Sequence, residues 1–185
     1  MLILVLYREL MLVVTILWIL VRGICAFKNK HIDWKYEFKL LSVYICIAVI
    51  NRFVYFPMRR VYGQIGALAL DTTRVYPFWV NLVPIIPLAE VYDGWIINII
   101  GNIIMFIPVG ICWPWCFAEL DTFRKVVLAG LLYTALIEIS QLPFYGRYSD
   151  INDILLNAIG VAIGAAIFFG IKKVRNQNFS HPSMR

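Results

Sequence analysis

The sequence predicts an all-α fold: a polytopic membrane helix bundle of about five spans, with an apolar proline-rich segment that is re-entrant or interfacial. Three observations predict it. Apolar residues (AVILMFWYC) fill 62% of the 185 positions and charged residues only 15%, against roughly a quarter charged in soluble domains. The mean hydropathy is +0.78. Several runs with one charge or none approach the ~20 residues that a bilayer crossing needs. So short a chain has too much surface to hide this apolar excess in water. A soluble enzyme is excluded, and so is a disordered chain, which needs the opposite composition.

The elements follow in order. Residues 10–21 form an apolar run of 12, bounded by Arg8-Glu9 and Arg22. It spans only if one end snorkels. No clean small-residue cleavage site follows, so it reads as a span and not a signal peptide. Residues 40–58 carry one charge, Arg52, in 19. Residues 75–88 (VYPFWVNLVPIIPL) hold Pro77, Pro84 and Pro87. These forbid a regular helix, yet the segment is too apolar for water. Irregular backbone at membrane depth must be covered by protein or line a wet cavity. Residues 95–118 have no charge in 24, residues 126–146 have one, Glu138, in 21, and residues 154–171 have none in 18. The chain therefore divides into a two-span hairpin (1–58), an outer connection (59–94), a three-span core (95–175) and a polar cytoplasmic tail (176–185).

The charge of +6 is assigned to topology and not to nucleic acid. With the N-terminus outside and the C-terminus cytoplasmic, 11 of the 17 basic residues lie inside, including all seven lysines. That is the positive-inside bias. The outer six are all arginine: Arg8, Arg52, Arg59, Arg60, Arg74 and Arg147. Arginine suits buried pairs and bidentate anion sites. The four cysteines sit in or beside apolar runs and read as small buried hydrophobes. His31 and His181 are isolated, and no metal-type spacing occurs. No metal or other cofactor is expected.

Polar residues inside a bilayer are costly and tend to face a partner or a cavity. On this topology, Asn98 and Asn102 share a face in the outer half of the third span. Glu138 and Gln141 share one near the outer end of the fourth. Asp150, Asp153 and Asn157 form a stripe entering the fifth. Arg147 precedes that stripe, and Asn81 arrives from the same side. Each has a structural reading of its own: helix glue for the asparagines, an Arg147 pair for Glu138, an N-cap for Asp150. Together they look like one site on the outer side. Gly160 and Gly164 are a small-xxx-small pair that reads as packing.

Four motifs then stand in order: 81–84 (NLVP), 98–110 (NIIGNIIMFIPVG), 138–141 (EISQ) and 147–164 (RYSDINDILLNAIGVAIG). Over about residues 74–171 the chain resembles the VanZ-like family. It departs from the common pattern at Ile85, where an aromatic is usual. The resemblance implies an integral membrane protein of the bacterial cell envelope, whose founding member is associated with teicoplanin resistance.

Two classes of function follow. The first is binding or remodelling of an envelope lipid or lipid-linked cell-wall precursor at the outer leaflet, with an effect on glycopeptide susceptibility. Arg147 and one of Arg52, Arg59, Arg60 or Arg74 would hold a phosphate or carboxylate. Glu138, Asp150 and Asp153 would pair with those arginines, or with a hard divalent cation. The second is a membrane enzyme on a lipid head group, with Glu138 as general base. No histidine and no serine or threonine in a nucleophile motif supports that alternative. A transporter has no internal repeat in its favour.

Overall fold

The computed structural model describes residues 2–56, 60–61, 64–71, 80–83, 95–145, 147 and 149–180. They fall in two compact units: Met1–Leu82 with Leu136–Asp150, and Val83–Ala135 with Ile151–Arg185. The expected re-entrant segment, residues 75–88, lies outside the described residues except for 80–83.

The first unit begins with strand β1 (Leu2–Val5) and helix α1 (Tyr7–Asn29). The Glu9 carboxylate accepts the Leu6 N–H at 2.9 Å and closes the helix start. Lys30, at φ 51°, ends the helix in the left-handed conformation usual at such ends. Asp33 then accepts the N–H groups of Lys35 and Tyr36 and caps α2 (Trp34–Tyr55). The two helices pair antiparallel: Tyr7 stacks edge-on to Phe56, Thr15 hydrogen-bonds Tyr44 at 2.7 Å, and Arg22 grips Glu37 through two hydrogen bonds. Arg22, which bounds the apolar run in the sequence, lies inside the helix and is matched by an acid on the next one. α1 therefore runs 23 residues, about 35 Å of helix. α2 buries Leu40, Val43, Cys46 and Ile50 at helical spacing, whereas no α1 residue is buried. α1 exposes Leu12, Ile16, Ile19 and Leu20 instead, as a lipid-facing helix does.

Short strands, unforeseen in the sequence, complete this unit. β2 (Arg60–Val61) and β3 (Gln64–Ile65) pair antiparallel. β1 pairs antiparallel with β4 (Leu68–Asp71), Leu2 opposite Asp71. Phe144 bridges to Leu70, and the Tyr145 N–H donates to the Ala69 carbonyl at 2.7 Å. β5 (Val80–Asn81) runs parallel to β6 (Ser149–Asp150). Strands of two to four residues do not change the class, which is an all-α helical bundle.

The second unit holds α3 (Trp95–Cys116), the first part of α4 (Phe123–Gln141) and α5 (Ile151–Ser180). Glycines set the α3–α5 packing. A Cβ on Gly160 would lie within 3.0 Å of the Ile103 carbonyl, and one on Gly164 within 3.0 Å of the Ile107 carbonyl. Both contacts advance along the two helices together, so α3 and α5 run in the same direction. The chain returns between them along α4. That helix packs on α5 where Val161 meets Gly130, and on α3 where Tyr133 meets Phe106 and Trp113.

Helices α1, α2, α3 and α5 are each long and apolar enough to cross a membrane. α4 has 19 residues and carries Arg124, Lys125 and Glu138. It stops at Gln141, before the charge-poor run ends at 146, because Pro143 has no N–H to continue it.

Candidate functional site

Each unit gathers its own group of polar side chains. In the first, Glu138 is only 2% exposed and Gln141 is buried beside it, one helical turn on. The Gln141 side-chain amide donates to Glu138 Oε1 at 3.3 Å, and the Asp150 backbone N–H donates to Oε2 at 3.0 Å. β6 brings Asp150 opposite Asn81 of β5, and the Asn81 Nδ2 donates to both Asp150 oxygens at 3.2 Å. Glu138, Gln141, Asp150 and Asn81 thus form one hydrogen-bonded chain. Asp150 immediately precedes α5, but its carboxylate faces Asn81; its contribution to Glu138 comes from the backbone.

Arg147 makes a different contact. Its Nη2 donates to the Tyr55 carbonyl at the end of α2, and among the described residues it makes no ion pair. Glu138 and Arg147 form no ion pair; a backbone N–H and the Gln141 amide are among the donors to Glu138. Burial pushes the Arg147 guanidinium below its ordinary pKa, against a weaker opposite effect of Tyr55. An arginine nonetheless stays protonated at neutral pH.

Two hydroxyls stand beside this guanidinium's anchor. Ser140 Oγ donates to the Ile137 carbonyl at 2.6 Å. Its one proton is then used, so Tyr55 is the donor in the Tyr55–Ser140 hydrogen bond. The phenol oxygen is left as an acceptor. Tyr55 and Ser140 were not singled out in the sequence. Ser140 lies inside the 138–141 motif, but nothing marks Tyr55, whose partner is 85 positions away.

In the second unit, the Asn102 side-chain amide donates to Asp153 Oδ1 at 2.7 Å and, weakly, to Asn98 Oδ1 at 3.5 Å. This joins α3 to the first turn of α5. One turn deeper, Asn157 is 2% exposed and donates to Thr134 Oγ1 of α4 at 2.7 Å. Thr134 is a further residue that the sequence reading missed. Asn157 Oδ1 is buried without a hydrogen-bond partner among the described residues, a costly state for an amide oxygen.

Of the other outer arginines, Arg52 donates to the Phe56 carbonyl and lies over the Tyr7 and Phe53 rings. Its work is to close α2 against α1. Arg59 and Arg74 fall outside the described residues.

A family model described as VanZ/LLP1 matches residues 41–173. No curated protein matches the chain. No solved structure matches it.

Proposed function

The chain belongs to the VanZ/LLP1 family, and from this premise we propose that it binds an envelope lipid or lipid-linked cell-wall precursor through that molecule's phosphate, at the outer leaflet. One observation carries the reading: Arg147, half-buried and desolvated, spends one N–H on a carbonyl and has no acidic partner among the described residues. A desolvated guanidinium with donors to spare suits bidentate phosphate recognition. The Tyr55 and Ser140 hydroxyls beside it suit the polar remainder of a head group. An effect on glycopeptide susceptibility would follow from occupancy of a wall precursor.

The enzyme alternative has less behind it. A general base needs a lone pair aimed at substrate, and both Glu138 oxygens already accept protein N–H groups. The same engagement argues against Glu138 as a cation ligand. The test uses the full-length protein in nanodiscs with polyprenyl phosphate or the uncharged polyprenol. Retention of the phosphate form alone, with unchanged lipid masses after incubation, supports binding. Equal retention of both forms overturns it, and new lipid species would favour the enzyme.

The orientation proposed with this function is N-terminus outside and C-terminus cytoplasmic. The lysine distribution supports it. So does the first unit, where β1 and the Phe144–Tyr145 turn both pair with β4, which puts the N-terminus on the same side as the α4–α5 connection. The parallel course of α3 and α5 calls for α4 as the return crossing, and its 19 residues reach about 28 Å, near the thickness of the hydrocarbon core. In a cysteine-free background, Tyr145→Cys, at a position 60% exposed, should react with an impermeant thiol reagent in intact cells. Asn29→Cys should react only after permeabilisation. The reverse pattern would overturn the orientation.

A further inference from the structure

Near the C-terminal end of α5, Phe169, Lys172, Lys173, Asn176 and Gln177 surround a shallow depression of about 410 Å3 together with Asp121. All of it belongs to the second unit. Its charge is one-sided. Asp121 is already held by Lys125 at 2.7 Å, one turn along the chain. That hydrogen bond holds the Asp121 carboxyl below the usual range, and Lys172 adds a weaker pull. Among the described residues no second acid lines the depression, so Lys172 and Lys173 leave it cationic. The Lys172 Nζ stands 6.0 Å from the centre of the Phe169 ring, within cation–π range.

Position selects the ligand. Residues 154–171 are uncharged, and the two lysines follow at once. The depression therefore sits where α5 passes from hydrocarbon to water, the depth at which head-group phosphates lie. Phe169 gives it an apolar edge that a glycerol backbone can cover and a free anion cannot use. We infer that this depression binds the phosphate of an anionic phospholipid head group, in the leaflet where the C-terminal end of α5 emerges.

The test measures binding of phosphatidylglycerol to the full-length protein in detergent, with phosphatidylcholine and inorganic phosphate as separate probes. Lys172→Gln/Lys173→Gln keeps polar, unbranched side chains and removes both charges from exposed positions, so folding is preserved. It should weaken phosphatidylglycerol binding about tenfold, while Asp121→Asn strengthens it. Binding at other places on the chain is common to all three proteins, so the difference between them is what is read. Retention of polyprenyl phosphate, which depends on Arg147, should be unchanged in the double variant; this separates the inference from the proposed function. Unchanged phosphatidylglycerol affinity in the double variant would overturn it. So would inorganic phosphate competing as well as the lipid, or phosphatidylcholine binding equally.

Discussion

Gly164→Ala is expected to cost the second unit about 3 kcal/mol of stability, the upper end of the usual overpacking range. The added Cβ would lie within 3.0 Å of the Ile107 carbonyl and of the Gly110 Cα. Both are backbone atoms, so no side chain can swing away to make room. Gly160 has the same relation to the Ile103 carbonyl, and Gly110 to the Val161 carbonyl. The effect is large because of the solvent. Lipid is as apolar as leucine, so helices in a bilayer associate through close packing and not through escape from water. Glycines let α3 and α5 approach until Cα–H groups meet carbonyls, each contact worth about 0.5–1 kcal/mol. Separating the helices by a methyl forfeits several such contacts at once. Gly101→Ala and Gly170→Ala are the controls, since an added Cβ meets nothing within 4 Å at either. Both should be neutral or stabilising by up to about 1 kcal/mol, from helix propensity alone. Thermal unfolding in detergent separates the cases. A Gly164→Ala protein that melts with Gly170→Ala would show that α3 and α5 tolerate greater spacing.

What the sequence made legible divides along the range of the interactions. The helices of the second half could be read because hydropathy is local: residues 95–118 announce α3 with no knowledge of its neighbours. Gly160 and Gly164 are legible as a packing pair for the same reason, and both meet α3 backbone. The apolar run of the first span looks short in the sequence because Arg22 is unmatched until α2 folds back and supplies Glu37. The partner is 15 residues away across a turn, and no periodicity reports it. The strands escaped because two-residue pairings such as β5 with β6 join segments 69 positions apart. Polar side chains at membrane depth were legible as a set, because each is expensive alone. Their partners were not. The sequence puts an arginine or an amide against Glu138, and the fold supplies the Gln141 amide together with the Asp150 backbone N–H. Arg147 is left without an acid among the described residues.

This division of partners means that charge-conserving variants will not all behave alike. Arg147→Lys is expected to abolish complementation of a deletion strain, read as envelope stress or glycopeptide susceptibility, while leaving membrane abundance nearly normal. Among the described residues Arg147 makes one hydrogen bond, to the Tyr55 carbonyl, and a lysine ammonium can make one too. What lysine lacks is the planar fork that grips a phosphate through two parallel bonds. A charge-assisted bond of that kind contributes about 1.5–3 kcal/mol, so affinity for polyprenyl phosphate should fall at least about tenfold. Glu138→Gln should fail differently. Both Glu138 oxygens accept N–H donors, and an amide turns one acceptor into a third donor in a buried place. A facing pair of donors costs about 1–3 kcal/mol, so abundance and melting temperature should fall along with function. Asp153→Asn falls between the two. Asn102 can still donate to the amide oxygen, so folding should hold, and any loss of complementation would report the charge itself. Arg147→Lys is the decisive member because stability and function separate in it. If it complements fully and retains polyprenyl phosphate as the wild type does, Arg147 is an anchor for the end of α2 and the polar groups only hold the helices together.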